Sequence, residues 1–206
     1  MPSRKPENTW MLIAGVVLAL SVAGAVVALD PLTASIEGVI RVAAVSGYLT
    51  IFVATLSSNC MRELTRFFGR GFVRVHHVAS ITALVVLLVH ASIVAWRAGS
   101  VNVFVPLASP AQAFFRQGGR PALWLILIAA AVALLRKKIG KQWKTIHRLN
   151  YLAFLLGTIH AQMIGRNFQH LAVRFVSAAM AAGVVVVFVL KRRTEAHRKQ
   201  QRRARV

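Results

Sequence analysis

Cysteine and acidic side chains are scarce in this sequence of 206 residues. The single cysteine, Cys60, excludes an internal disulfide and argues against a cysteine metal site. Only five Asp and Glu accompany 26 Lys and Arg, which gives a formal net charge of +21. In a soluble chain this charge would favour nucleic acid as the partner. Here the basic residues form short clusters between long apolar runs, so we expect membrane lipid and no nucleic acid as the partner.

Long apolar runs set the fold class. Hydrophobic residues make up 57% of the chain, and its mean hydropathy is +0.62. A run of about 20 apolar residues can cross the roughly 30 Å hydrocarbon layer as an α-helix. The sequence therefore predicts an all-α integral membrane protein, a single domain over 1–206 built as a bundle of six transmembrane helices. The predicted helices cover about 10–29, 36–57, 75–96, 121–138, 145–164 and 171–190.

The first apolar run is preceded by Arg4 and Lys5, as a signal peptide would be. The run over 10–29 is nevertheless long enough to span a membrane. Asp30 and Pro31, which follow it, make a poor cleavage context. We therefore expect this run to be retained as the first helix.

The segments after the third predicted helix include a long loop, a short apolar helix and a basic tail. The segment 97–120 contains two prolines and two apolar patches, which predicts an interfacial loop with a short surface helix. The apolar core of the fourth predicted helix is shorter than the hydrocarbon layer, so we expect this helix to extend into its basic flank and to end at Gly140. The tail 191–206 is strongly basic, and we expect it to be disordered or to lie on anionic lipid.

Basic residues are distributed unevenly between the two sides of the predicted bundle. Six helices place both termini on one side. That side has two basic residues before the first helix, four after the second, six after the fourth and eight in the tail. The other side has three after the third helix and two after the fifth. Because Lys and Arg accumulate on the cytoplasmic side, both termini and the tail are predicted to be cytoplasmic, in a bacterial inner membrane.

Four histidines form two pairs on the third and fifth predicted helices. His76 and His90 are 14 residues apart, and His147 and His160 are 13 apart. Fourteen residues span roughly 21 Å and close to four turns, so both rings leave nearly the same helix face. Two such helices can hold two b-type haems, one near each membrane surface. His76 and His147 would ligate the inner haem, and His90 and His160 the outer one.

The sequence leaves two adjacent candidates, His76 and His77, for the ligand of the inner haem on the third helix. His77 is 13 residues from His90, but a 13-residue step turns the ring by well over 90°. His76 is therefore preferred, and His77 is the alternative ligand or a partner for a haem propionate. The step from His147 to His160 has the same mismatch, which a tilt or a bulge would have to absorb. Two imidazole ligands suit electron transfer because they leave no axial position for a substrate.

Haem propionates are anionic, so basic residues near these histidines are candidate cofactor-binding residues. Arg41 lies within the second predicted helix, where a charge is costly unless it is paired or faces water. We expect it to face a propionate of the outer haem, to pair with Glu37, or to extend to the membrane surface. Arg74 and Arg148 flank the inner ligands and are candidate partners of the inner haem, or charges that only fix the topology.

Two segments carry a resemblance to a known family. RVAAVSGYLTIFVATLSS followed by MRELTRFFGRGFVRVHH, and WKTIHRLNYLAFLLGTIH, resemble the ferric reductase-like transmembrane domain superfamily over about 36–190. That superfamily includes ferric reductases, NADPH oxidases and the haem membrane subunit of a bacterial periplasmic methionine sulfoxide reductase (MsrQ/YedZ-like). The resemblance implies b haem bound by His76, His90, His147 and His160, with electrons passing outward from the cytoplasmic side.

The sequence contains no G-x-G-x-x-G nucleotide fingerprint. We therefore expect an electron-transfer subunit of an oxidoreductase that lacks its own FAD and NAD(P)H domain and has no assigned catalytic residue. The donor would be a separate flavoprotein, an FMN or FAD bound on the cytoplasmic side, or a quinol. The acceptor would be a periplasmic protein or a small oxidant such as ferric ion or oxygen. Two candidate inner histidines favour two haems over one.

Two other classes of function are compatible with the same helices. One is a non-catalytic membrane anchor or assembly subunit of a larger redox complex. The other is a proton or cation pathway built on the membrane histidines. The shortage of intramembrane carboxylates argues against the pathway, because proton relays generally use chains of Asp or Glu.

Overall fold

The computed structural model describes residues 35–69 and 71–204, which form helices and turns without a strand. Short 3₁₀ turns cover Val101–Phe104, Gly140–Gln142 and Arg166–Gln169. The predicted helix 10–29 lies outside the described residues. In chain order the α-helices of the described part are α1 (Ile36–Asn59), α2 (Met61–Phe68), α3 (Gly71–Ala98), α4 (Ala111–Arg116), α5 (Gly119–Leu134), α6 (Arg136–Ile139), α7 (Trp143–His147), α8 (Leu149–Ile164) and α9 (Leu171–Arg203).

Local sequence explains where several helices begin and end. The Ser35 hydroxyl accepts a hydrogen bond from the backbone N–H of Gly38 at 3.3 Å, which caps the first turn of α1. Gly99 follows the last residue of α3 with φ of +60°, and Gly140 follows α6 with φ of +66°. These are left-handed conformations that favour glycine and stop a helix. The predicted helix end at Gly140 is therefore confirmed.

Three of the described helices are long and apolar enough to cross a membrane, namely α1, α3 and α9. In α3, the side chains of Val78, Ile81, Val85 and Val89 are exposed and recur every three or four residues. This spacing puts them on one helix face, as expected for a surface that meets lipid. The all-α membrane class is confirmed, whereas the six-span count and the sides of the termini remain predictions.

The core lies where α1, α8 and α9 meet. Tyr48 of α1 stacks on Phe154 of α8 with ring centroids 5.3 Å apart, and its hydroxyl lies 3.2 Å from the Thr158 hydroxyl. The same Tyr48 hydroxyl donates to the backbone carbonyl of Ser177 in α9 at 3.4 Å. A phenol that buries its ring and satisfies its hydroxyl joins three helices at one point. The most extensive helix contacts are those of α1 with α3 and of α5 with α8.

The fourth and fifth predicted helices are each interrupted. The fourth begins at Gly119, breaks at Leu135 and continues only as the single turn α6. The fifth breaks at Arg148, which separates α7 from α8. At 16 residues, α5 and α8 are each roughly 24 Å long. The breaks leave two short apolar helices inside the bundle, with the basic residues of 136–148 gathered beyond them.

The basic tail is helical. Helix α9 continues without interruption to Arg203, 13 residues beyond the predicted end at 190. The disorder expected for the tail is therefore wrong over 191–203. Lys, Arg, Gln, Glu and Ala dominate this segment and are good helix formers. Arg192 adds an ion pair with Glu195 at 2.7 Å and lies over the Phe188 ring at 5.4 Å.

The segment 99–118 folds back over one end of the bundle, as predicted, with a short helix (α4). The Trp124 indole N–H donates to the backbone carbonyl of Phe104 at 2.8 Å. The Arg120 guanidinium donates to the carbonyls of Asn102 and Val105, both at 2.9 Å. These three hydrogen bonds hold the loop against α5, and we call this segment the cap.

Candidate functional site

His90 and His160 lie at the capped end of the bundle. The His90 Nδ1 is 3.1 Å from the backbone carbonyl of Ile40, and the His160 Nδ1 is 2.9 Å from the carbonyl of Arg116. A carbonyl oxygen can only accept, so both Nδ1 atoms carry the proton and both Nε2 atoms carry the lone pair. The two rings are close enough to interact electrostatically. The predicted outer pair is therefore brought together with its Nε2 atoms set as acceptors.

His76 and His147 lie at the opposite end of α3. The His147 Nδ1 is 3.0 Å from the backbone carbonyl of Ala129, which fixes the same tautomer. The His76 Nδ1 is 3.1 Å from the Ser57 hydroxyl, whose proton is donated to the carbonyl of Ala54 at 3.1 Å. The hydroxyl therefore accepts from Nδ1–H of His76. His147 contributes to the electrostatic environment of His76, and the pairing of these two rings remains a prediction.

The structure distinguishes the two neighbouring histidines of α3. His76 is half-buried and orients its ring on Ser57, whereas His77 is exposed and its ring centroid lies 6.0 Å from that of His76. A ligand histidine usually donates its second ring nitrogen to an oxygen acceptor. The preference for His76 over His77 is supported by this contact.

A turn at Arg148 separates the two histidines of the second pair. His147 is the last residue of α7, and His160 lies in the last third of α8. The two rings therefore do not have to follow the phase of one continuous helix. His147 also has the Trp143 ring at 5.8 Å and the Asn150 amide nitrogen at 3.5 Å from its Nε2.

A cavity of about 510 Å³ lies beside the His90–His160 pair. This volume is in the range of about 300–1,000 Å³ usual for small-molecule and cofactor sites. Its wall is mostly apolar and includes Tyr48 and Phe154 of the core and Phe104 of the cap. The cavity is therefore lined by residues of the bundle and of the cap, and both imidazoles lie in its wall.

Two glycines leave room around the His160 ring. A Cβ atom at Gly119 would lie 2.9 Å from the His160 Nε2, so only glycine lets the ring occupy this position. Gly157, one turn before His160, lines the cavity, and a Cβ there would meet no atom of the described chain within 4 Å. The space beside Gly157 is therefore open, whereas the His160 Nε2 lies close to the backbone at Gly119.

The basic residues predicted to contact a cofactor lie in different environments. Arg41 is buried, and its Nε donates to the Asn167 side-chain oxygen at 2.8 Å. This bond ties α1 to the turn before α9, and Arg41 is not among the residues that line the cavity. Arg74 is exposed on the first turns of α3, and Arg148 is half-buried at the break after His147. Glu37 forms an ion pair with Arg97.

Three polar side chains that the sequence did not single out line the cavity, namely Arg116, Gln117 and Arg120. They lie at the end of α4 and the start of α5, and Arg120 is close enough to interact electrostatically with His160. Sequence reasoning counted both arginines only as topology charges. The adjacent Gly118-Gly119 pair was the available signal, because it allows this turn to approach α8 closely.

The donor set restricts the kind of metal site that the described chain can form. In residues 35–69 and 71–204, no group of three or more His, Cys, Asp or Glu side chains lies close enough to hold a bare metal ion. A haem iron needs only two axial protein ligands, because the porphyrin supplies the other four. Paired imidazoles therefore fit haem and do not fit a mononuclear zinc site.

The fold defines a helical membrane protein. The family of ferric reductase-like transmembrane components matches residues 41–158, which is more than half of the chain. The chain belongs to this family, and its role is accordingly one in membrane electron transfer. No curated protein and no solved structure matched the chain.

Proposed function

We propose that this protein carries electrons across a membrane by holding two b-type haems, one between His76 and His147 and one between His90 and His160. When bound, a haem with two imidazole ligands supplies reversible one-electron transfer without binding a substrate at iron. Family membership supports the redox role. The haems, their number and the direction of transfer are parts of the proposal.

The observation that carries this proposal is the state of the four imidazoles. Each Nδ1–H has an oxygen acceptor, from a backbone carbonyl in three cases and from the Ser57 hydroxyl in the fourth. The acceptor fixes the ring orientation and leaves the lone pair on Nε2, which is the usual arrangement around a ligating histidine. At His147 the Asn150 amide nitrogen lies 3.5 Å from this Nε2, so a metal would take the place of that contact. Four half-buried histidines with this arrangement supply the number of imidazoles that two axial ligand sets need.

The protein around the His90–His160 pair would keep water from the cofactor. Tyr48 and Phe154 line the cavity from within the bundle, and Phe104 of the cap lines it from the other side. A dry environment strengthens electrostatic interactions at the site and limits side reactions. The residues of this chain thus bind, orient and shield, whereas the donor and acceptor chemistry comes from partners.

The charge distribution supports a direction for the electrons. The His76–His147 pair adjoins the basic segments around α2 and α6, which are predicted to be cytoplasmic. Such a surface favours an acidic flavoprotein or an anionic FMN or FAD as the donor, with a quinol as an alternative. The His90–His160 pair would then pass electrons to a periplasmic protein or a small oxidant. A bacterial inner membrane is the corresponding location.

A haem assay on the purified protein tests the proposal. The pyridine haemochrome content should approach two b-type haems per chain, and a redox titration should resolve two components. His90→Ala and His160→Ala should each remove the same component, and His76→Ala and His147→Ala the other. His77→Ala is the matched control and should retain both.

Two results would end the proposal. One is wild-type protein without a reducible Soret band and α band. The other is full haem content in both His90→Ala and His160→Ala. A haem-free protein that purifies with a stable redox complex would instead indicate the alternative function, a membrane anchor or assembly subunit.

A further inference from the structure

The turn between α4 and α5 gathers cationic and amide side chains at the mouth of the cavity. Arg116 and Arg120 line it from either side of Gln117 in the sequence, and none of the described residues lining the cavity is acidic. Arg120 is fixed by its two hydrogen bonds to the cap. The Arg116 guanidinium has no partner among the residues that the structure describes. The site therefore has positive charge that the described protein does not neutralise.

Gln117 adds an independent observation. Its side-chain oxygen is buried, and the described part of the chain provides no hydrogen-bond partner for it. A buried polar atom without a partner costs free energy, so it marks a place where a ligand group or water belongs. The O and N atoms of an amide can exchange places by rotation, so Gln117 can accept from a hydroxyl or donate to a carboxylate.

We infer that Arg116, Gln117 and Arg120 form a carboxylate-binding site at the mouth of the His90–His160 cavity. Guanidinium groups bind carboxylates through charge-assisted and often bidentate hydrogen bonds, and the amide adds a neutral contact. Two sources have this chemistry. One is the pair of haem carboxylates, in which case the inference rests on the proposed function. The other is a free carboxylate ligand, such as a chelated ferric ion, arriving through the cap.

The position of the site agrees with either source. The backbone carbonyl of Arg116 orients the His160 ring, so a group held by the Arg116 side chain lies next to the ligand histidine. Gly118 directly after Gln117 packs against α8, where a Cβ would lie 2.9 Å from the backbone oxygen of Leu156. The close packing at Gly118 keeps the three polar side chains at the cavity mouth.

The test uses the purified, haem-loaded protein and two readouts. The first is the rate at which haem passes to excess apomyoglobin. The second is the affinity for citrate, measured by calorimetry. Arg116→Gln should slow neither folding nor loading but should weaken carboxylate binding at the site by roughly two- to fivefold, the range for an exposed charged pair. Arg116→Lys should restore much of it, and Gln117→Glu should weaken it further because it adds a like charge.

Arg174→Gln is the matched control, since Arg174 is an exposed arginine at the same end of the bundle that does not line the cavity. Faster haem loss in Arg116→Gln and Gln117→Glu, but not in Arg174→Gln, assigns the site to the haem carboxylates. Unchanged haem loss with weaker citrate binding assigns it to a free carboxylate. If neither readout differs from wild type, the inference is wrong. A wild-type protein without haem overturns the proposed function alone, because the citrate measurement remains.

Discussion

The orientation of the four imidazoles depends on single acceptor atoms. Three of these acceptors are backbone carbonyls, which no substitution removes, but the acceptor of His76 is the Ser57 hydroxyl. Loss of such a partner typically lowers metal affinity by about 10- to 100-fold, because the ring is no longer held in the ligating orientation. Among the four acceptors, Ser57 is therefore the one that a substitution can remove, which tests whether the hydrogen bond from Nδ1–H orients the histidine for binding.

Ser57→Ala should weaken haem binding at the His76–His147 site by roughly tenfold. The reason is that Nδ1–H of His76 would lose its acceptor while every ligand remains. The rate of haem transfer to apomyoglobin measures the effect, and one of two phases should become faster. Ser58→Ala is the control, because the neighbouring Ser58 hydroxyl contacts Tyr151 and no histidine. Equal rates in the two variants would contradict the assignment of Ser57.

Gly119→Ala should remove the haem of the His90–His160 site and leave the other. A Cβ at 2.9 Å from the His160 Nε2 would displace the ring from the cavity. Haem content should fall by about half, a loss of the order seen when an axial ligand is misplaced. Gly183→Ala is the matched control, since a Cβ in that part of α9 meets no described atom within 4 Å. A Gly119→Ala protein with full haem content would show that His160 has room to move.

At the scale of the element, the two histidine-bearing segments are built differently. Helix α3 is continuous over 28 residues, whereas the partner segment is divided at Arg148 into α7 and α8. The sequence could predict that a 13-residue step needs such a correction, because the angle follows from helix geometry alone. It could not predict where the break falls, because Arg148 carries no local helix-breaking signal and packing decides the outcome.

The cap is held by few contacts, and Trp124 provides one of them. Trp124→Phe keeps the ring but removes the N–H that donates to the Phe104 carbonyl. A lost hydrogen bond of about 1 kcal/mol corresponds to a roughly fivefold larger open population. Hydrogen–deuterium exchange of peptides covering 99–118 should accelerate by about that factor. Trp96→Phe is the control, because Trp96 is 71% exposed. Identical exchange in both variants would mean that the indole N–H does not hold the cap.

At the scale of the whole molecule, the fold class and the helix end at Gly140 could be anticipated from apolar runs and residue spacing, whereas the pairing of the histidines remains a prediction. Gln117 and Arg120 could not be, since their position follows from how the turn after α4 packs on α8. The helical tail could have been anticipated from its composition, but the high charge of 191–203 favoured disorder. Local patterns thus predict helices, while the position of the polar side chains that line the cavity depends on tertiary contacts.

The predicted orientation in the membrane can be tested with the single cysteine. Cys60, between α1 and α2, should resist a membrane-impermeant maleimide in intact cells whose outer membrane is permeable to it, and react once the inner membrane is opened. In Cys60→Ser, an added Ser109→Cys in the exposed cap should react in intact cells. Labelling is read by a mass shift on a gel. The opposite pattern for both positions would invert the proposed direction of electron flow.

The continuous helix α3 fixes the distance and the relative angle between the two proposed haem sites. Every residue added between His76 and His90 would advance one ring by about 1.5 Å and rotate it by about 100°. The distance between the sites can therefore change only in discrete steps, and an insertion of about four residues, roughly one turn, is the smallest that would return both rings to one face. The divided partner segment has no such restriction, because the break at Arg148 can absorb a difference in phase.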